Sequence, residues 1–450
     1  MRKISQHGQW STRLAFILAA TGSAVGLGNI WKFPYIAGEN GGGAFVLIYL
    51  LCILMIGLPI MMAEIMLGRR GRQSPINTMK ELAQESAVSP FWSWLGWLGV
   101  IAGFLILSYY SVIAGWAMAY VVRVASGVFE GVTPDGASNI FGELIADPEK
   151  LLAWHSLFMI MTMLVVARGV KGLERTVKFL MPALLAILIL LIGYSMEQGA
   201  FEQGVSFLFK ADFSKVTSES VLTAMGHAFF TLSLGMGAIM VYGSYLPSKV
   251  SIGSTASLIA LTDTAVALFA GLAIFPIVFA NGLEPGSGPG LIFQTLPIAF
   301  GHMAYGSLFG TLFFILLVFA AWSSSISLIE PAVAWLVENK NMSRMRACIW
   351  AGLATWVVGI GTVLSFNLTA DVTLLGKTFF DILDYLTANV MLPLGGLCIA
   401  IFAGWIMSKE ASAEELSFTK PVLYKSWQFL IKFISPLAVI IVFFKAIGVI

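Results

Sequence analysis

Long apolar segments recur along the whole chain and are separated by shorter polar ones. Most reach about 20 residues, the length of helix that crosses a hydrocarbon core about 30 Å thick. Backbone groups inside a bilayer must pair internally, so such segments predict α-helices. The pattern predicts eleven membrane spans, at residues 12–37, 43–68, 93–124, 152–168, 176–196, 220–245, 254–281, 306–336, 346–366, 374–407 and 426–448.

One membrane domain over residues 1–450 accounts for this pattern, because no polar segment is long enough for a soluble domain. The composition agrees, since 58% of residues are hydrophobic and only 11% are charged. We therefore expect an all-α polytopic membrane protein. A net charge of +2 gives no reason to expect a nucleic-acid partner.

The basic residues are distributed unevenly between the loops. The loop at 125–151 carries five acidic residues and a single lysine, whereas the loops after the second, fourth and eighth spans are rich in Arg and Lys. Basic loops stay in the cytoplasm. The distribution predicts a cytoplasmic N-terminus and, with eleven spans, a C-terminus outside.

Two spans contain residues that weaken helices. The first carries "GSAVGLGN" at 22–29, and the sixth carries "FFTLSLGMGA" at 229–238. Glycine-interrupted helices at matching places in two inverted halves indicate a transporter's binding site, because unwound backbone leaves carbonyls and amides free. We predict inverted repeats at about 10–197 and 218–408, with an extra helix at about 426–448. The alternative is that the glycines only allow close helix packing.

Several motifs together resemble the neurotransmitter:sodium symporter family. They are "GSAVGLGNIWKFPYIAGENGGGAF", "GLPIMMAEIMLGR", "LSYYSVIAGW", "FFTLSLGMGAIMVYGSY" and "FAAWSSSISLIEP". The resemblance implies the LeuT fold, a 5+5 inverted repeat whose helices 1 and 6 are unwound. It also implies uptake of an amino acid driven by two sodium ions through alternating access.

The resemblance implies two sodium sites. The first would use the Ala24 carbonyl with Asn29, Thr231 and Asp263, although the alignment leaves Thr262 as an alternative to Asp263. A carboxylate at the bilayer centre costs about 2.5–3.5 kcal/mol on insertion scales, so it is expected to have a partner such as sodium. The second site would use these residues: Gly22, Val25, Ala320, Ser323 and Ser324.

Asp263 also bears on chloride. Chloride-dependent relatives have asparagine there and a serine one turn later, where this chain has Ala267. A fixed carboxylate near the sodium would supply the negative charge that chloride supplies in those relatives. Transport is therefore expected to be independent of chloride.

The family's substrate site corresponds to residues from both interrupted spans and from spans 3 and 8. Gly26 replaces the aspartate of monoamine-transporting relatives, which favours a substrate with its own carboxylate. No member of the set carries a charged side chain, so a neutral hydrophobic amino acid is expected, and flexible Met236 would accept several sizes. The residues are Ser23, Ala24, Gly26, Leu27, Gly28, Ile106, Tyr110, Phe230, Thr231, Ser233, Met236, Ser324 and Leu328.

Two gates are expected. The outer gate would pair Lys32 with Asp384, or with Asp381 one turn earlier. The inner gate would use Trp10, Ser244, Tyr245 and Glu338, with a cation supplied by His7, Lys3 or Arg13.

No arrangement of nucleophile and base suggests an enzyme. We expect a bacterial cytoplasmic-membrane transporter surrounded by lipid, and the oligomeric state is left open. The rival interpretations are a transporter of another small zwitterion, such as a β- or γ-amino acid, and an amino-acid sensor that does not transport.

Overall fold

The computed structural model describes residues 5–285 and 290–446, and this part of the chain contains α-helices but no β-strand. The helices of the first half are α1 (Arg13–Ala24), α2 (Gly28–Glu39), α3 (Gly43–Gly71), α4 (Pro75–Glu85), α5 (Pro90–Ala125), α6 (Pro134–Ile145), α7 (Pro148–Val166), α8 (Gly169–Met196) and α9 (Phe201–Phe209). The second half contains α10 (Ser218–Thr231), α11 (Ala238–Ser244), α12 (Ile252–Ala280), α13 (Leu291–His302), α14 (Gly306–Lys340), α15 (Arg344–Leu364), α16 (Phe379–Ile406), α17 (Lys409–Leu416) and α18 (Pro421–Lys445).

The predicted helical membrane architecture is confirmed. Within the described residues nine helices are long and apolar enough to span a membrane, and α1 with α2 makes a tenth, bent span. The sixth predicted span is divided between α10 and α11, which are short. The count of eleven spans and the division into inverted repeats stay predictions.

The first span is broken where the sequence predicts it. Helix α1 ends at Ala24 because Val25 adopts an extended conformation, with φ −71° and ψ 99°. Helix α2 begins at Gly28, and the two helix axes differ by 51°. The residues between them leave peptide groups outside any regular helix.

The second break lies between α10 and α11. Gly235 and Gly237 have φ of +79° and +73°, which glycine adopts at little cost. Gly235 is also packed tightly, since a Cβ built there would lie 2.5 Å from the Leu392 carbonyl oxygen. Ser233 has φ of +55°, so a side chain is held in the left-handed region beside the break.

Most helix bounds agree with the predicted spans to within a few residues, but α8 begins at Gly169, whereas its predicted span begins at 176. Helix α16 begins at Phe379 rather than 374, because Leu374 and Lys377 pair their backbones in a turn. Helix α18 begins at Pro421, and residues 447–448 of the last predicted span lie outside the described residues. The sequence pattern missed the short loop helices, whose apolar faces are too brief for a membrane signal: α4, α6, α9, α13 and α17.

Small residues bring α3 against α11. A Cβ on Gly68 would lie 1.9 Å from the Met240 carbonyl oxygen, and one on Gly243 would lie 2.8 Å from the Ile65 carbonyl oxygen. The two backbones therefore approach too closely for any side chain at these positions. This contact anchors the segment that follows the second break.

Replacing Gly68 with alanine is expected to force α3 and α11 apart and lower the free energy of unfolding by about 1–3 kcal/mol. The apparent melting temperature in detergent measures this. Gly142→Ala is the matched control, because a Cβ there meets nothing within 4 Å. Equal melting temperatures for Gly68→Ala and the native protein would contradict the expectation.

Candidate ion and substrate site

The two breaks meet at a small cavity near the middle of the helical domain. Its lining consists of all thirteen residues predicted for the substrate site. They come from both breaks and from α5, α10 and α14. The cavity volume is about 30 Å³, about the room that one water molecule occupies. A larger guest would require the side chains around it to move.

Backbone amides of the first break point toward a tyrosine. The Leu27 N–H donates to the Tyr110 hydroxyl at 3.2 Å, and this hydroxyl belongs to a side chain that is 5% exposed. Gly26 leaves the approach open, since a Cβ there would lie 2.5 Å from Ser324 Oγ and 2.9 Å from the Tyr110 hydroxyl. Any side chain at position 26 would therefore fill the cavity.

The rest of the lining is apolar or carries hydroxyls that already have partners. Ser233 donates to the Ser23 carbonyl at 2.8 Å, and the Ser23 hydroxyl donates to Ser327 at 2.7 Å. Ile106, Met236 and Leu328 supply hydrocarbon surface, and no ionisable group other than the tyrosine lines the cavity. An uncharged, apolar group is the kind of guest that such walls accept without an unpaired charge.

A carboxylate lies buried beside this cavity. Asp263 of α12 is 0% exposed, and its two oxygens accept from Asn29 Nδ2 at 2.8 Å and from Thr231 Oγ1 at 3.0 Å. Among the described residues no cation lies within ion-pair distance of it. The carboxylate, the amide and the hydroxyl come from three different helices, and hard oxygen ligands of this kind suit sodium.

The structure separates the two alternatives at this position. Thr262 lies on another side of α12, is only partly buried, and donates to the Leu258 carbonyl of its own helix at 2.8 Å. Asp263 faces Asn29 and Thr231 instead. Of the two residues, only Asp263 can contribute an oxygen here.

A second group of oxygens surrounds Ser324. Its hydroxyl lies 3.3 Å from the Gly22 carbonyl, 3.1 Å from the Ser23 carbonyl and 3.3 Å from the Val25 carbonyl. The neighbouring Ser323 donates to the Ala320 carbonyl at 3.0 Å. The predicted second-site residues are therefore close together, and one hydroxyl cannot fully satisfy three converging carbonyls.

Sequence reasoning missed one residue that holds the second break. Glu64 of α3 is 0% exposed, and its Oε1 accepts from the Gly235 N–H at 2.5 Å. A lone glutamate inside an apolar segment is itself a signal, because an ionisable residue in a membrane span is seldom there without a partner. "GLPIMMAEIMLGR" contained that signal, but the sequence alone does not say which amide it meets.

A wider cavity of about 340 Å³ lies on the other side of Tyr110 and Phe230, and both Lys32 and Asp384 line it. No ion pair joins these two charges among the described residues. The Lys32 ammonium instead lies 4.7 Å from the centre of the Phe230 ring. Asp381 caps its own helix, accepting from the Thr378 N–H at 3.0 Å, and is not among the residues that line this cavity.

The opposite face is closed by bonded aromatic residues. Trp10 is 2% exposed; its backbone N–H donates to the Tyr245 carbonyl at 3.1 Å and its indole N–H to the Tyr242 carbonyl at 3.0 Å. The Tyr245 hydroxyl donates to Glu330 at 2.7 Å. The hydroxyl of Ser244, predicted as a gate residue, donates to the Val241 carbonyl of its own helix, and the Ser244 carbonyl accepts from Arg72 at 3.3 Å.

Glu338 joins this layer to the N-terminal segment. Its carboxylate lies 3.0 Å from His7 Nε2, and it accepts from the Ser74 N–H at 2.8 Å and from Asn77 at 2.8 Å. Arg13 bonds Ser254 and Thr255 instead. Lys3 lies outside the described residues, so His7 is the partner that the structure brings to Glu338.

Comparisons with known proteins place this geometry in a family. The family model described as the "Sodium:neurotransmitter symporter family" matches residues 7–129 and 142–450. An uncharacterized sodium-dependent transporter of Bacillus subtilis is 42% identical over 98% of each chain. The sodium- and chloride-dependent creatine transporter 1 of Bos taurus is 26% identical over 84% of this chain and 67% of its own.

A solved structure is similar throughout. The crystal structure of MhsT in complex with L-phenylalanine has a TM-score of 0.89 and 45% identity, and the match covers 98% of this chain and 99% of that one. The resemblance drawn from the motifs and the LeuT fold are thus confirmed. The chain belongs to the sodium:neurotransmitter symporter family, and it is a multi-pass, sodium-dependent symporter rather than an enzyme.

Proposed function

We propose that this protein imports neutral hydrophobic L-amino acids together with sodium, by alternating access and without chloride. One observation carries the proposal: a buried carboxylate, Asp263, lies beside an apolar cavity at one end of which backbone amides are bonded by side chains, the Leu27 N–H by Tyr110 and the Gly26 N–H by Asn29. The parts needed for a cation, a carboxylate and an apolar side chain are therefore adjacent.

The substrate carboxylate would bind at the first break. It would accept from the Leu27 and Gly28 amides and from the Tyr110 hydroxyl, which would rotate its proton toward the new acceptor. Amides at a helix start carry partial positive charge and favour an anion. The α-amino group would meet carbonyls of the facing breaks, at Ala24, Phe230 and Thr231.

Binding of sodium and binding of the substrate would be coupled by electrostatic attraction. An ion between Asn29, Thr231 and Asp263 would compensate the buried carboxylate and attract the carboxylate of the substrate. Each ligand would bind more tightly when the other is present, which is the reciprocity that coupled transport requires. A second ion would bind the carbonyls of Gly22 and Val25 with other oxygens, those of Ala320, Ser323 and Ser324.

During alternating access, the closed face and the face with the wider cavity would open in turn. The layer around Trp10 and Tyr245 would open to the cytoplasm, and the cavity above Phe230 would open to the outside. This orientation rests on the basic loops of the sequence, as does the placement in the cytoplasmic membrane. The relative bound to L-phenylalanine supports the choice of substrate class.

A panel of competitors against a bound labelled amino acid tests the substrate class. L-leucine, L-phenylalanine and L-tryptophan are expected to compete in the presence of sodium, whereas L-lysine and L-glutamate are not, because the cavity offers their charges no partner. Competition by γ-aminobutyrate or creatine alone would favour the other-zwitterion alternative. Binding without sodium-driven accumulation in proteoliposomes would indicate a sensor.

Met236→Phe tests the cavity wall in the same assay. A rigid ring in place of a flexible side chain should raise the inhibition constant of L-tryptophan roughly tenfold more than that of L-leucine. Met196→Phe is the control, since Met196 is 55% exposed at the end of α8. An unchanged ratio in Met236→Phe would remove Met236 from the proposed wall.

Asp263→Asn tests the ion site. Uptake at a fixed sodium concentration is expected to fall about tenfold or more, because the neutral amide no longer supplies the charge that holds the cation. Native uptake is expected to be the same in sodium chloride and in sodium gluconate. The measurement is the initial uptake rate in proteoliposomes as a function of each salt.

Thr262→Val provides the control, because the Thr262 hydroxyl donates to the Leu258 carbonyl of its own helix. Unchanged sodium dependence in Asp263→Asn would overturn the role of Asp263. Collapse of native uptake in gluconate would overturn chloride independence while leaving the sodium assignment in place.

A further inference from the structure

A groove runs along the outside of the domain between α7 and α15. It has a volume of about 480 Å³, and the side chains of its wall are hydrocarbon or sulfur apart from the Ser156 hydroxyl and the Trp356 indole N–H. The ridges beside it stand out from the surface, since Ile160, Leu164 and Ile349 are each 57% exposed. This groove is separate from the substrate cavity and shares no residue with it.

The end of the groove nearer the membrane centre is fixed by hydrogen bonds. The Trp356 indole N–H donates to Ser156 Oγ at 2.8 Å, and the Trp356 carbonyl accepts from His155 Nε2 at 3.2 Å. These bonds orient the ring, and the Ser156 hydroxyl in turn donates to the Leu152 carbonyl at 2.7 Å. The polar side-chain groups at this end of the groove are therefore already bonded to the protein.

Small residues line the floor of the groove, which makes the groove deep. A Cβ on Gly352 would lie 2.7 Å from Met163 Cγ, and Cys348 is 1% exposed. The lining runs from Ser156 to Ala167 on α7 and from Met345 to Trp356 on α15. At 1.5 Å per residue each side is about 16 Å long, which is about half of a hydrocarbon core. The groove thus has the length of one leaflet's acyl chains.

The open end of the groove is basic. Ala167 and Met345 line it, and the next residues in the chain are Arg168 and Arg346, both exposed and without an ion-pair partner among the described residues. Arg344 lies between them and is already paired with Glu330 and bonded to the Val166 carbonyl. Two exposed arginines therefore each follow directly after a residue that lines the open end of the groove.

We propose that this groove is a binding site for an anionic phospholipid, with one acyl chain in the groove and the phosphate between Arg168 and Arg346. Guanidinium groups bind phosphate through paired N–H donors. Basic pockets between membrane helices, on the face that carries the basic loops, are suited to anionic headgroups. The site is independent of the transported substrate.

Charge distinguishes this occupant from a second copy of the chain. A two-fold dimer joins the same patch of both copies. Association through this groove would bring the arginines at its open end close to those of the partner. A phospholipid brings the opposite charge and a chain of the right length instead.

The experiment loads the full-length protein in detergent with equal amounts of dioleoyl phosphatidylglycerol and dioleoyl phosphatidylcholine and counts retained lipids by native mass spectrometry. The native protein is expected to retain one lipid, with the anionic one preferred. Arg168→Gln with Arg346→Gln is expected to reduce that preference roughly tenfold. Lys420→Gln with Lys425→Gln, which removes two exposed charges elsewhere on the same face, is expected to leave it unchanged.

Ile349→Trp fills the groove from a position where the side chain is already exposed, and should reduce retention of both lipids. Leu261→Trp, at a side chain 66% exposed on α12, is its control. Equal retention of the two lipids by the native protein, or equal loss in the lysine pair, would overturn the proposal. So would a dimer peak that disappears only in Ile349→Trp, which would make the groove a contact between copies.

Discussion

The structure depends on one constraint: a peptide group inside a membrane must find a hydrogen-bond partner. In two spans the regular helix hydrogen bonds are interrupted. Side chains from neighbouring helices accept hydrogen bonds from the peptide groups that are left over. Glu64 accepts from the Gly235 amide, Asn29 accepts from the Gly26 amide at 3.2 Å, and Tyr110 accepts from the Leu27 amide. The breaks are thus held by side-chain hydrogen bonds. Side chains can exchange their partners, whereas the backbone hydrogen bonds of a regular helix stay fixed.

In the proposed transport cycle, exchangeable hydrogen-bond partners would connect the ion to the substrate. Asp263 is satisfied here by an amide and a hydroxyl, both of which offer oxygen as well as a proton. Each of these groups carries an oxygen that can turn toward a cation, and the cation would then compensate the carboxylate in place of the donated protons. Because Asn29 also contacts the Gly26 amide, reorientation at the ion site reaches the end of the cavity where a carboxylate would bind. These hydrogen bonds lie within three helices that pack together, so coupling between the ion site and the cavity needs no longer chain of residues.

Sequence patterns predicted the helices and the places where two of them open, because hydropathy and glycine act locally. The alignment with the family motifs identified thirteen residues, and the structure brings all of them together around one cavity. What could not be predicted depends on distance across the fold. The sequence leaves three candidates for the cationic partner of Glu338, and only the packing of the folded chain shows that His7 lies next to it. Likewise, Asp381 and Asp384 are one turn apart, and Asp381 caps its helix through Thr378 whereas Asp384 lines the wider cavity.

The two faces of the site are held by interactions of unequal strength. The Trp10 face has two backbone-directed hydrogen bonds and the buried contacts of Glu338, each hydrogen bond contributing about 1 kcal/mol. The other face has a lysine over the ring of Phe230, a contact worth about 0.5–2 kcal/mol. Opening toward the wider cavity therefore costs less than opening the bonded layer. In the proposed cycle the wider cavity is the outer face, so this asymmetry would favour the outward-open state until bound ligands offset the difference, and the bonds of the inner layer would determine how much binding energy import requires.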